Sequence, residues 1–204
     1  MSFLPSAQGM ADQIWFLVIH FIYKLFNEIT IQNNKADKYH SKKLSQFIDK
    51  YSSIINKKTN SNLYKSVIYA IMINEDFNRP YFIRHIFERI GFIFNKVRTT
   101  GIMQVKNEKY LSDFESVEIG SVLIIDKLSE EISTSITKKK LEISRNRKNK
   151  QIKKKYHNYE TEPEKYSTEI FNTLQYYNKT QSVYELYQLV IEVYKKISLT
   201  TAST

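Results

Sequence analysis

The chain has 204 residues, a net charge of +10, 42% apolar residues and 14% aromatics, enough to bury one sizeable core and too apolar for a disordered protein. It has no cysteine, which excludes disulfides, thiol catalysis and cysteine-based zinc sites. Its four glycines and three prolines are too few for a turn-rich sheet protein, so an all-α fold is expected. His20, His40, His85 and His157 are scattered without metal-ligand spacing, so a metal site is not expected. The positive charge points to an anionic partner: nucleic acid, a membrane surface or an acidic polymer such as bacterial cell wall.

In chain order, IWFLVIHFIY (14–23) comes first, an uncharged apolar run ended by Lys24. It is short of the ~20 residues a bilayer span needs unless residues 14–31 act together. It reads first as a buried or interfacial helix, second as an uncleaved membrane anchor. No basic region precedes it and no small-residue site follows, so a cleavable signal ranks third. KADKYHSKKLSQFIDKYSSIIN carries Tyr39, Leu44, Phe47, Ile48, Tyr51, Ile54 and Ile55 at helical spacing, which predicts an amphipathic helix. A polar break at 57–62 follows, with Asn62 as a candidate cap.

LYKSVIYAIMINED is apolar on nearly every side, as a helix in the middle of a core must be, and Pro80 follows as a stop signal. The helix ends in Glu75 and Asp76. A carboxylate at the edge of a core is harder to ionise, which suits a general acid working near neutral pH. Placing it at a helix C-terminus also runs against the dipole, although plain solvated polarity would look the same in sequence. PYFIRHIFERIGFIFNKV is a second very apolar helix, interrupted by Gly91. RTTGIMQV (98–105) follows; taken alone, Gly101 there would cap a helix and Gln104 would face water. Ser112 and Glu115 form an S-x-x-E capping box ahead of the helical stretch FESVEIGSVLIIDKLSEEIS. Lys138 to Lys155 contains a single acid, Glu142, and reads as a solvated basic insertion, taken as 138–158. Two helices hinged near Asn178 close the chain.

Four short elements in order now form a set: Asn74-Glu75-Asp76, Gly101-Ile102-Met103-Gln104, the helix around Gly120, and Tyr177-Asn178. Together they resemble the lytic transglycosylases of the lysozyme-like superfamily. There a catalytic glutamate precedes a Gly-Leu-Met-Gln element, and an aromatic-Asn pair comes near the end. The likeness covers roughly residues 62–197. It departs from the family pattern in having Asp76 where a serine usually follows the glutamate, and Val97 to Thr100 where small residues usually precede the glycine. A looser similarity joins Glu75-Asp76 and Thr99 to Gln104 to the peptidoglycan glycosyltransferase domain of penicillin-binding proteins.

The likeness leaves residues 1–60 as an N-terminal helical extension, with residues 14–31 as its candidate membrane association, and implies a lysozyme-like domain (61–198) that holds the basic insertion and needs no metal or organic cofactor. It further implies cleavage of the MurNAc–GlcNAc bond of peptidoglycan glycan strands in the cell envelope or outside the cell, with Glu75 as the single catalytic acid. Gly101 would let the backbone approach the sugar, Met103 would floor the cleft, and Gln104 would offer its amide to the glycan or the cleft wall. Tyr177 and Asn178 would orient Glu75 or the substrate acetamide. Asp76, Asp113, Glu115 and Glu118 are the candidates for a second carboxylate, which a hydrolytic lysozyme would need. The competing expectation is a noncatalytic helical protein that binds nucleic acid or a membrane surface through Lys138–Lys155, with Tyr156 and Tyr159 for stacking.

Overall fold

The computed structural model describes residues 14–21, 36–79, 81, 84, 85, 88, 98–145, 162–177 and 183–201. The chain divides into two compact units, Met1–Lys43 and Leu44–Thr204. In the first unit, residues 14–21 form helix α1, whose side chains, Trp15 and Phe16 among them, lie open. Among the described residues no helix is long and apolar enough to cross a membrane. Residues 22–31, which an anchor would also need, lie outside the described residues.

Helix α2 (Ala36–Lys58) runs into the second unit, and its spacing decides where that unit begins. Leu44, Phe47, Tyr51 and Ile55 recur every three or four residues and are all buried, so the end of the expected extension, from Leu44 on, belongs to this core. Helix α3 (Asn62–Asn78) follows a break at which Ser61, rather than Asn62, takes the capping position. The Ser61 side chain makes no cap, and its own N–H donates to Thr59 Oγ1 at 3.1 Å.

Every residue from Ser66 to Ile73 of α3 is buried. The run Val67, Ile68, Ile71, Ile73 is poor in helix propensity, a cost of up to ~0.7 kcal/mol per residue. Burial of each such side chain contributes roughly 1.5–3 kcal/mol, so packing decides the conformation. The helix is therefore an all-α core element, as the sequence requires.

The expected glycine turn is a β-hairpin: β1 (Arg98–Thr100) pairs antiparallel with β2 (Val105–Asn107), in the register Arg98–Asn107 and Thr100–Val105. The backbone reverses through Gly101 at φ 71° and Gln104 at φ 48°, and Gln104 N–H closes the loop on Gly101 O at 3.0 Å. Helix α4 (Asp113–Arg145) begins at the expected capping box. Glu115 Oε2 accepts from Ser112 N at 2.8 Å and from Ser112 Oγ at 2.7 Å, and Glu115 N donates back to Ser112 Oγ at 3.3 Å.

With no glycine or proline between Gly120 and Pro163, α4 continues to Arg145, well beyond the predicted stretch. The basic insertion thus opens as an extension of this helix, with Lys138 and Lys139 exposed; residues 146–158 lie outside the described residues. A short 3-10 turn (Pro163–Tyr166) leads into α5 (Ser167–Tyr177), and α6 (Val183–Thr201) closes the unit. Helix α3 packs chiefly on α6 and also on α4, where Tyr64 Oη and Ser129 Oγ lie 3.0 Å apart.

Two glycines lock the hairpin onto α4. A Cβ on Gly101 would lie 2.3 Å from Ser116 Cβ, and one on Gly120 would lie 2.8 Å from Met103 Cβ. Ser116 and Gly120 are one helical turn apart, so two hairpin residues seat on two successive turns. Gly120→Ala tests this fit. Alanine favours a helix over glycine by ~1 kcal/mol, so an open site would gain stability. The seated site should instead lose ~1–3 kcal/mol to overpacking, read as a lower urea midpoint at unchanged slope.

Candidate active site

Glu75 sits in the last turn of α3, where the fully buried run gives way to half-buried Asn74 and Glu75. The helix does not end at Glu75 but continues to Asn78, and Arg79 N–H caps it by donating to Glu75 O at 2.9 Å. Burial raises the Glu75 carboxyl above its ordinary value, while the positive charges of Arg79 and Arg84 pull the other way without cancelling the effect. Tyr177, the last residue of α5, reaches the same place. Its hydroxyl is buried with no hydrogen-bond partner, and burial together with the nearby Glu75 charge pushes the phenol up.

Around this carboxyl lies a polar network anchored on the hairpin. Gln104 Oε1 accepts from Arg79 Nη1 and, at 2.9 Å, from Thr99 Oγ1. Gln104 Nε2 donates to Glu88 Oε1 at 3.1 Å and to Gly101 O at 2.8 Å. The amide therefore uses both of its lone pairs and both of its protons within the protein. Glu88 is buried, which raises its carboxyl against the pull of the Gln104 bond and the Arg84 charge. Arg84 is buried as well. Its Nη2 donates to Asp113 Oδ1 at 2.9 Å and Oδ2 at 3.0 Å, and its Nε stands 4.0 Å from Glu88 Oε1.

The cluster combines satisfied and unsatisfied groups. Arg84 Nη1, Glu88 Oε2 and Tyr177 Oη are all buried without a hydrogen bond. Unmade bonds at buried polar atoms cost ~1–3 kcal/mol each, so such groups concentrate where water or a ligand completes them.

The expected site residues thus divide. Glu75 and Tyr177 come together, and Gln104 joins them through Arg79. Met103 is fully buried, a floor for the hairpin rather than an open surface, and the space Gly101 leaves is filled by Ser116 of α4. Close packing of hairpin on helix, with a positive φ, is thus the physical reason for this glycine. Asn178 lies outside the described residues.

Of the candidates for a second carboxylate, Asp113 is bound by Arg84, Glu115 closes the capping box, Glu118 pairs with Lys58 at 3.0 Å, and Asp76 is buried. Arg79, Arg84 and Glu88 were not singled out by sequence. The available signal was an Arg-Glu pair four residues apart inside an otherwise apolar segment. Among the described residues no group of three or more His, Cys, Asp or Glu could hold a metal ion. No family model, curated protein or solved structure matches the chain.

Burial penalises only the charged form of Glu75 in the folded protein, so its ionisation costs stability above the ordinary value of 4.5 and costs nothing well below it. Glu75→Gln removes the charge and keeps the shape. Its melting temperature should exceed that of the wild type at about pH 7, and the two should converge near about pH 3. A gain that persisted unchanged at the acidic end would point to a cause other than ionisation.

Proposed function

We propose that the protein cleaves the MurNAc–GlcNAc bond of peptidoglycan in the manner of a lytic transglycosylase, with Glu75 as its single catalytic acid. The observation that carries this reading is the half-buried Glu75 carboxyl at the end of the core helix, raised by burial and near enough to the buried, unpartnered Tyr177 hydroxyl for its charge to act there. A general acid must hold its proton at the working pH and meet a polar group that can steer it or its substrate. The ordered likeness of Glu75, Gly101 to Gln104 and Tyr177 to the transglycosylases supports the same assignment, and the positive charge suits an anionic wall polymer.

In this mechanism Glu75 gives its proton to the glycosidic oxygen as the bond from that oxygen to C1 of MurNAc breaks. The substrate's acetamide stabilises the positive charge developing at C1. The Glu75 carboxylate then takes the proton of the C6 hydroxyl while the C6 oxygen bonds to C1, giving a 1,6-anhydro end. No water is consumed and Glu75 returns to its protonated form. Arg79 and Arg84 stabilise the carboxylate between the two proton transfers, because both guanidinium charges favour it. A hydrolytic route needs a second carboxylate free to activate water. Asp113, Glu115 and Glu118 are held by partners, which favours the single-acid route.

Glu75→Gln cannot donate the proton, and general acid–base contributions run ~10²–10⁴-fold, so cleavage of purified peptidoglycan should fall to near background. Wild-type products should be one water lighter by mass than hydrolysis products. Undiminished cleavage by Glu75→Gln would remove Glu75 from the mechanism, and hydrated ends would assign the protein to the hydrolytic lysozymes.

A further inference from the structure

Beside the Glu75 cluster lies a group of rings that the proposed chemistry does not use. Tyr81 is 61% exposed, Phe114 46% and Tyr110 37%. Isolated exposed aromatics are ordinary, but these are tied down. The Tyr81 ring meets His85 edge-on with centroids 4.1 Å apart, and His85 Nδ1 lies 3.0 Å from Tyr110 Oη. Beneath them the buried Arg84 guanidinium sits 5.9 Å from the Tyr81 centroid and is fixed by its ion pair with Asp113. On the Asp113 side, the exposed Lys50 ammonium stands 5.4 Å over the Phe114 ring, which itself packs 5.1 Å from Tyr51.

We propose that Tyr81, His85 and Tyr110 form a sugar-stacking platform that binds the glycan strand next to Glu75, with Lys50 placed for a carboxylate carried by that strand. The proposal rests on the reading of Glu75 as the catalytic acid and adds a binding subsite to it. Three features support it. Arg84 joins the two regions, since it contacts the Tyr81 ring and its charge also acts on Glu75. Sugar rings present flat C–H faces that pack on aromatic rings, and rings already held by a hydrogen bond and an edge-on ring contact lose little freedom when a ligand covers them. The cation beside the rings complements the lactyl and peptide carboxylates of peptidoglycan, which a neutral glycan lacks.

The test uses the full chain carrying Glu75→Gln, so that the ligand survives, and measures binding of soluble peptidoglycan glycan fragments by calorimetry. Adding Tyr81→Ala should weaken binding roughly tenfold, the size of one lost stacking contact. Adding Tyr110→Phe, which keeps the ring and removes the bond to His85, should weaken it less. Lys50→Ala should weaken binding of fragments with free carboxylates and leave neutral chitooligosaccharides unaffected. Tyr81 is exposed, so the melting temperature should stay unchanged and show that the fold survives. Unchanged fragment binding by Tyr81→Ala would overturn the platform. Equal losses of binding to polyglutamate, an anion without sugar rings, would overturn it too. The acid assignment fails separately: cleavage by Glu75→Gln alone would sink that reading, while the binding arms still report on the platform.

Discussion

The second unit depends on the burial of one helix. Every side chain of α3 from Ser66 to Ile73 is enclosed, and the helix meets polar surroundings only in its first and last turns. That single constraint fixes the main helical packing, since α6 and α4 must cover a helix with no polar face to turn outward. It also fixes the chemistry available at the end of α3. A carboxyl that leaves the core at that point is part-shielded from water, and its ionisation is disfavoured without any specific acidic neighbour.

The hairpin surrounds this edge with polar groups. Gly101 and Met103 seat on Ser116 and Gly120, which sets the height of the turn above α4 and leaves the Gln104 side chain facing Arg79 and Glu88. Gln104 works as a junction, holding a cation that neighbours Glu75 on one side and a buried carboxyl on the other. The Arg84–Asp113 pair carries the same tie onward to the start of α4. Arg84 Nη1, Glu88 Oε2 and Tyr177 Oη remain buried there without a hydrogen bond.

The sequence revealed those features whose physics is local. The Leu44, Phe47, Tyr51, Ile55 spacing, the apolar run of α3 and the Ser112–Glu115 capping box all behave as their periodicity or motif requires. The hairpin escaped this reading because its strands are three residues each and show no alternation long enough to mark a sheet. The fit of Gly101 against Ser116 joins residues that only the folded backbone brings together. Glu88 and Arg84 were not singled out, because their i,i+4 spacing in an apolar segment hints at burial but says nothing of their partners Gln104 and Asp113. For Glu75 the apolar run before it pointed to the edge of the core, but the alternative of a solvated carboxylate was separated only by its burial in the fold.

The central claim is that core burial raises the Glu75 carboxyl above its ordinary value. Carbon-13 NMR of glutamate-labelled protein, with Glu75 assigned by comparison to Glu75→Gln, reads this directly. The account predicts a titration midpoint above the ordinary 4.5, moving higher still when Arg79→Leu removes an opposing charge. A midpoint at or below 4.5 would contradict it.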